Sequence, residues 1–194
     1  MQRMNTFRKA LLFCLTSLLA LSACQNGLKE EMKALCSRPV ELDTDKMQCM
    51  YPSVKGDTAL WHINDEGKTY RLVVFMDSTE CMSCATGKMH GWDKFLNVLA
   101  GKGNVSCFFI FNPAREEKES LLVSLMTEKL QYPVYIDSIG IFTKTNPHIP
   151  QTSLLHTFLI DEQGKVVFVG DPRRDGKLHD LFFRAIRQVK KEAR

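Results

Sequence analysis

Short, continuously apolar runs alternate along this chain with longer stretches whose apolar positions recur every three or four residues. Leu72-Val73-Val74-Phe75-Met76 is apolar at every position, as expected of a strand buried on both faces of a sheet. From about Cys81 to Ala100, Met89, Trp92, Phe95, Leu96 and Leu99 fall at helical spacing, and Gly101 closes the run. Val105 to Phe111 predicts a second apolar strand. Glu116 to Leu130 predicts a second helix with Leu121, Leu122, Leu125, Met126 and Leu130 on its inner side. Pro133 to Asp137 predicts a short strand. Thr157 to Ile160 and Lys165 to Val169 flank Asp161-Glu162-Gln163-Gly164 and predict a hairpin. A last helix presents Leu178, Leu181, Phe182, Ala185, Ile186 and Val189 along one stripe.

Upstream, Asp57 to Ile63 and Thr69 to Met76 around Asn64-Asp65-Glu66-Gly67 predict another hairpin. Leu28 to Leu35 predicts a short amphipathic helix, and Pro39 to Pro52 a loop with short strands. The order β-α-β-α-β, then a β-hairpin, then α predicts an α/β domain with a mixed central sheet covered by helices on both faces. Right-handed crossovers place the first apolar strand centrally.

The first residues follow a different pattern. Arg3, Arg8 and Lys9 precede an apolar stretch from Ala10 to Ala20 that is too short for a permanent membrane span. Leu21-Ser22-Ala23-Cys24 comes next, and small residues before a cysteine at the end of such a stretch resemble the bacterial lipobox. The resemblance implies a signal peptide over 1–23 and lipid on Cys24, which would anchor the rest of the chain to a membrane. The expected location is therefore the cell envelope, on the periplasmic face or at the outer membrane. Three of the four net positive charges lie in this leader. The remainder is close to neutral and has no basic stripe with interleaved aromatics, which argues against a nucleic-acid partner. With 44% hydrophobic and 25% charged residues, the chain has the composition of a globular domain.

Export changes how the seven cysteines are read. Cys14 leaves with the leader and Cys24 carries lipid. In an oxidising compartment the others are expected in disulfides or in disulfide chemistry. Cys36 and Cys49 flank a loop upstream of the domain and form a candidate structural disulfide. Cys107, in an apolar strand, reads as a packed thiol.

The candidate chemistry sits at Asp77-Ser78-Thr79-Glu80-Cys81-Met82-Ser83-Cys84, where a buried strand gives way to a helix. N–H groups at a helix start stabilise a thiolate, which makes Cys81 the candidate nucleophile. A second thiol one turn on can resolve the mixed disulfide that the first one forms, and this role falls to Cys84. Zinc sites also use C-x-x-C, but no second such pair and no H-x-x-H is present, so no metal or other cofactor is implied.

With the Cys81–Cys84 motif and Thr157-Phe158-Leu159-Ile160-Asp161-Glu162-Gln163-Gly164-Lys165-Val166 in view, residues 57 to about 190 resemble the thioredoxin superfamily. The TlpA-type membrane-tethered branch, whose late hairpin reads T-F-L-I-D-x-x-G-K-V, is especially similar, as are bacterial lipoproteins common in Bacteroides. The resemblance implies a thioredoxin-like fold over 57–194, a lipid-anchored tether and N-terminal extension over 24–56, and thiol–disulfide oxidoreductase activity. Exported protein thiols and disulfides and a membrane redox partner are the implied partners. The chain departs from the family at three places. Glu80 replaces the usual Trp before the first cysteine and should oppose its ionisation. Met82-Ser83 lacks the common Pro. Leu155 stands where the family has a cis-Pro, and a cis bond before a non-proline residue costs about 2.5–4 kcal/mol, so a trans loop is expected. His156 follows, either exposed beside a strand or turned toward Cys81, where it would modulate the thiol.

Two chemical alternatives stay open at this stage, beside a binding lipoprotein whose Cys81–Cys84 disulfide is merely structural. With a histidine, Cys81 and Cys84 could hold Cu(I) or another soft metal for delivery. Ser78, three residues before Cys81, is similar to the Ser/Thr-x-x-Cys of peroxiredoxins and would suit a peroxidase, although Val74 stands where that motif has Pro.

Overall fold

The computed structural model describes residues 26–50, 68–101, 104–128, 130 and 132–192. The leader, Cys24 and the 57–63 arm of the upstream hairpin lie outside these residues. The elements are α1 (26–35), β1 (Gln48–Met50), β2 (Tyr70–Met76), α2 (Met82–Gly87), α3 (Asp93–Ala100), β3 (Val105–Phe111), α4 (Lys118–Thr127), β4 (Val134–Ile136), α5 (Ile141–Thr145), β5 (Thr157–Asp161), β6 (Val166–Val169) and α6 (Gly176–Glu192).

One six-stranded sheet runs in the order β1-β4-β3-β2-β5-β6. β2, β3 and β4 are parallel, whereas β1, β5 and β6 run antiparallel to their neighbours. The alternation of side chains along each strand divides the apolar residues between two cores. Tyr70, Leu72, Val74 and Met76 of β2, with Phe109 and Phe111 of β3, face the core closed by α2, α3, α4 and α6. Val73, Phe75, Phe108 and Ile110 face a second core closed by α5 and by Leu35, Val40 and Met47 of the N-terminal segment. This mixed sheet, covered on both faces and ending in an antiparallel hairpin, is a thioredoxin-like fold.

The central strand is apolar at consecutive positions because it is covered on both faces. Its two edges are also taken, by β3 along its whole length and by β5 from Tyr70 to Val74.

Three expectations change. The helix predicted from Cys81 to Ala100 is broken: α2 ends at Gly87, a 3-10 turn covers Met89–Trp92, and α3 follows. Gly87 and Gly91 weaken helical continuity. Gly91 also lets Arg173 approach, since a Cβ there would lie 3.1 Å from the guanidinium. Met126 of α4 is 69% exposed rather than on the inner side. Leu121 and Leu125 fill the core from this helix, and Met126 lies about 140° around the axis from Leu121. Leu181 of α6 is likewise exposed.

Residues 26–50, read from sequence as tether and extension, are built onto the sheet. β1 adds an edge strand beside β4. The Asn146 side chain, buried at the end of α5, donates to the Glu41 carbonyl and accepts the Glu41 N–H, at 2.9 and 2.8 Å. Asp137, buried at the end of β4, accepts the N–H groups of Ile141 and Phe142 at 2.8 Å each and so starts α5. These groups are buried and fully paired, the condition under which buried polar groups are tolerated.

Candidate functional site

β2 ends at Met76, and the next five residues turn the chain from the sheet into α2. Asp77 organises this turn: its carboxylate accepts the N–H and the hydroxyl of Thr79, at 2.8 and 2.6 Å, and its carbonyl accepts the Glu80 N–H at 3.1 Å. Cys81 is the N-cap of α2, extended at φ −66° and ψ 105°. The sequence expectation placed Cys81 within the helix; it stands one residue outside, where a cap belongs.

Cys81 and Cys84 are joined by a disulfide with Cα atoms 5.2 Å apart. Both are solvent-exposed. The Cys84 N–H donates to the Cys81 sulfur at 3.3 Å, and the Ser83 hydroxyl lies 3.4 Å from the same sulfur. α2 has six residues, so little macrodipole is available. Stabilisation of a thiolate at Cys81 falls to these local donors, which strengthen when their acceptor is charged. The Met82 side chain turns the other way and is buried in the first core, which fixes the first turn of the helix.

His156 is buried, 2% exposed, at the start of β5. The reading that put it on an exposed strand side is corrected. Its Nε2 lies 2.8 Å from the Pro150 carbonyl and its Nδ1 3.3 Å from Oε1 of Glu80, so it reaches the residue before Cys81 and not the sulfur itself. Its ring packs on Phe75, with centroids 5.0 Å apart. Burial works to lower the His156 pKa. Hydrogen bonds to Glu80 and to the Pro150 carbonyl, with the charges of Asp77 and Glu80, outweigh it and raise the pKa above its ordinary value. Glu80 is thus paired, where sequence alone left it an uncompensated carboxylate beside the thiol. Leu155 is buried in the second core, and no peptide bond among the described residues is cis.

The other sulfurs stand apart. Cys36 and Cys49 are not joined, contrary to the expected structural disulfide. Cys36 is exposed beyond the end of α1, while Cys49 is held in edge strand β1 opposite Tyr135. Cys107 is half-buried in β3, and desolvation pushes its thiol far above the usual range. Arg173 lies 3.6 Å over the ring of buried Trp92 and grips the Asp171 carboxylate through Nε and Nη2, at 2.9 and 2.7 Å. It braces the turn that follows the site helix.

Sequence reasoning placed Cys81 and Cys84 but missed that Glu80 meets His156. The two are 76 positions apart. No periodicity joins them, and only the pairing of β2 with β5 brings them together.

No family model and no curated protein matches this sequence. Among solved structures, a thioredoxin-like protein in the oxidised form shares 16% identity over 74% of this chain and 97% of its own, with a TM-score of 0.45. A thioredoxin-like protein from Porphyromonas gingivalis shares 19% identity over 65% of this chain and 78% of its own, also at 0.45. One from Bacteroides caccae shares 12% over 71% of this chain and 47% of its own, at 0.40. At these scores the likenesses add nothing to the fold assignment, which rests on the strand order and directions given above.

Proposed function

We propose that this chain is a thiol–disulfide oxidoreductase of the bacterial cell envelope, lipid-anchored through Cys24, that acts on disulfides or thiols of exported proteins. One observation supports this above the others: an exposed Cys81–Cys84 disulfide closes over the first turn of α2, with the Cys84 N–H directed at the Cys81 sulfur.

In the reducing direction, Cys81 thiolate attacks a substrate disulfide. A bond forms between Cys81 and one substrate sulfur, and the other leaves as a thiolate that takes a proton from solvent. Cys84 thiolate then attacks the Cys81 sulfur, which re-forms the Cys81–Cys84 disulfide and releases the second substrate thiol. Two electrons and two protons pass to the substrate. Oxidation of a substrate dithiol is the same sequence reversed. The cycle is reset by a dithiol donor in the first case or a disulfide acceptor in the second, and a membrane redox protein is the partner of that chemical class.

Neither alternative gains support from the geometry. Both ring nitrogens of His156 are engaged, by Glu80 and by the Pro150 carbonyl, so the histidine expected to complete a soft-metal site is not directed at the sulfurs. The Ser83 hydroxyl, rather than that of Ser78, lies beside Cys81. The test is to trap the intermediate. Cys84→Ser protein offered a disulfide-bonded substrate is expected to accumulate a mixed disulfide at Cys81. A Cys84→Ser protein that forms none, while its Cys81 thiol is intact, overturns the reading.

A further inference from the structure

The contacts of His156 fix a proton count. The Pro150 carbonyl, 2.8 Å from Nε2, can only accept, so Nε2 carries a hydrogen. The remaining nitrogen, Nδ1, faces a carboxylate oxygen at 3.3 Å. Two lone pairs do not settle opposite one another inside a protein, so one further proton lies between Nδ1 and Oε1. That oxygen also accepts the Asp77 N–H at 3.4 Å, which marks it as an acceptor and puts the shared proton on the ring. With the proton present the pair is neutral overall; without it, the pair carries one negative charge next to Cys81.

We propose that Glu80 and His156 are positioning residues that hold one proton between them, and that this proton sets the ionisation of Cys81. The proposal deepens the thiol-exchange reading and rests on it. In the neutral state, the carboxylate beside the nucleophile does not oppose a thiolate. When the proton is lost, the thiolate forms against a net negative neighbour, and its own proton goes to solvent at higher pH. The charged groups acting on His156 are Glu80, in contact, and Asp77 from the same turn. Both are acidic, so both retain the proton. Coupling is reciprocal: a thiolate at Cys81, created by reduction, holds the proton on His156 more tightly than the uncharged disulfide does. A buried histidine in this position thus replaces what the chain lacks before Cys81, an uncharged residue, with a charge-compensated pair.

The test reads Cys81 ionisation directly, as the pH profile of alkylation of the reduced full chain. Three variants are compared with the wild type: Glu80→Gln, His156→Gln and the double variant. His156→Gln strips the compensating proton and is expected to slow alkylation at neutral pH about three- to tenfold, the effect of one nearby charge in a wet environment. Glu80→Gln leaves the neighbourhood neutral and is expected to alkylate at the wild-type rate. In the double variant the wild-type rate returns. Faster alkylation in Glu80→Gln than in the wild type would show an uncompensated carboxylate and overturn the proposal. A double variant as slow as His156→Gln would show a structural defect and do the same. Because His156 is buried, an unmutated control is added: its ring proton, followed by NMR, should titrate at higher pH in the reduced than in the oxidised protein, and equal values in the two forms would overturn the coupling. Substrate turnover is measured in parallel. Turnover by the wild type without this alkylation pattern removes the pair's role alone; the pattern without turnover removes the exchange reading alone.

Discussion

Two turns at the same end of the sheet are built alike and finish differently. β2 leads through Asp77 and Glu80 into α2, and β4 leads through Asp137 into α5; each passes from a buried parallel strand to a short helix. At the second turn, the Asp137 carboxylate reaches forward and takes the N–H groups of Ile141 and Phe142, buried and with its oxygens engaged. At the first, the group that accepts an N–H from the opening turn of the helix is a sulfur, exposed and bonded to Cys84. The same backbone device, free N–H groups at a helix start, serves stability where a buried carboxylate closes it. In the proposed function it serves reactivity where an exposed cysteine does.

That contrast can be broken by exchanging which turn is damaged. The largest expected effect is on activity: Cys81→Ser should reduce dithiol-driven reduction of a disulfide-bonded protein to the uncatalysed background. Its stability should fall by about 2 kcal/mol at most, because the disulfide closes a very short loop. Chemical denaturation beside a turnover assay checks both halves. Asp137→Ala should do the opposite, costing about 2–4 kcal/mol by stranding two N–H donors, one of them buried, while folded protein keeps its exchange rate. A smaller effect is expected at Arg173→Ala, which loses the contact with Trp92 and the Asp171 pair, about 1–2 kcal/mol. Burial works to raise the Asp171 pKa, but the hydrogen bonds and charge of Arg173 hold it below the ordinary carboxylate range. The Asp171 contribution is therefore present above the unfolded-state carboxylate pKa and is lost as pH falls through the folded value, so the gap between wild type and variant should narrow in acid to what the Trp92 contact contributes. Thermal melts at a series of pH values measure this.

The smallest expected effect is the stability carried by His156. Its folded pKa is raised, so its contribution is full below the unfolded histidine value near about 6.5 and fades as pH rises through the folded value. The stability advantage of wild type over His156→Gln should narrow between mildly acidic and alkaline pH. Cys107→Ser sharpens the comparison from the other side. Desolvation keeps that thiol protonated, so its replacement should leave disulfide exchange unchanged, and Cys107 should resist alkylation in the folded protein.

Residues whose roles depend on local period were readable from the sequence. Met89, Trp92, Phe95, Leu96 and Leu99 are all buried in the first core, as their spacing predicts. Leu72 to Met76 form the central strand because an unbroken apolar run needs cover on both faces, and the C-x-x-C announced its own place at the strand–helix junction. What escaped was set by the assembled sheet. Short strands were expected between Pro39 and Pro52, but the place of β1 within that stretch and its partner come only from pairing with β4. α5 is a single short helix started by Asp137 rather than by an apolar stripe. Met126 shares an apolar identity with Leu125 but projects to solvent, since a ten-residue helix has room for only a narrow inner stripe. The partner of Glu80 became visible only when β5 was laid beside β2.

The central claim is that Cys81 and Cys84 form one reversible two-electron couple. It is tested most directly by equilibrating the full chain across a series of dithiol–disulfide buffers, quenching with an alkylating reagent, and locating each modified cysteine by mass spectrometry. Cys81 and Cys84 are expected to convert together along a single two-electron curve, and Cys107 is expected not to follow it. A pair that stays locked in one state across the whole series, or two sulfurs that oxidise independently, would contradict the account.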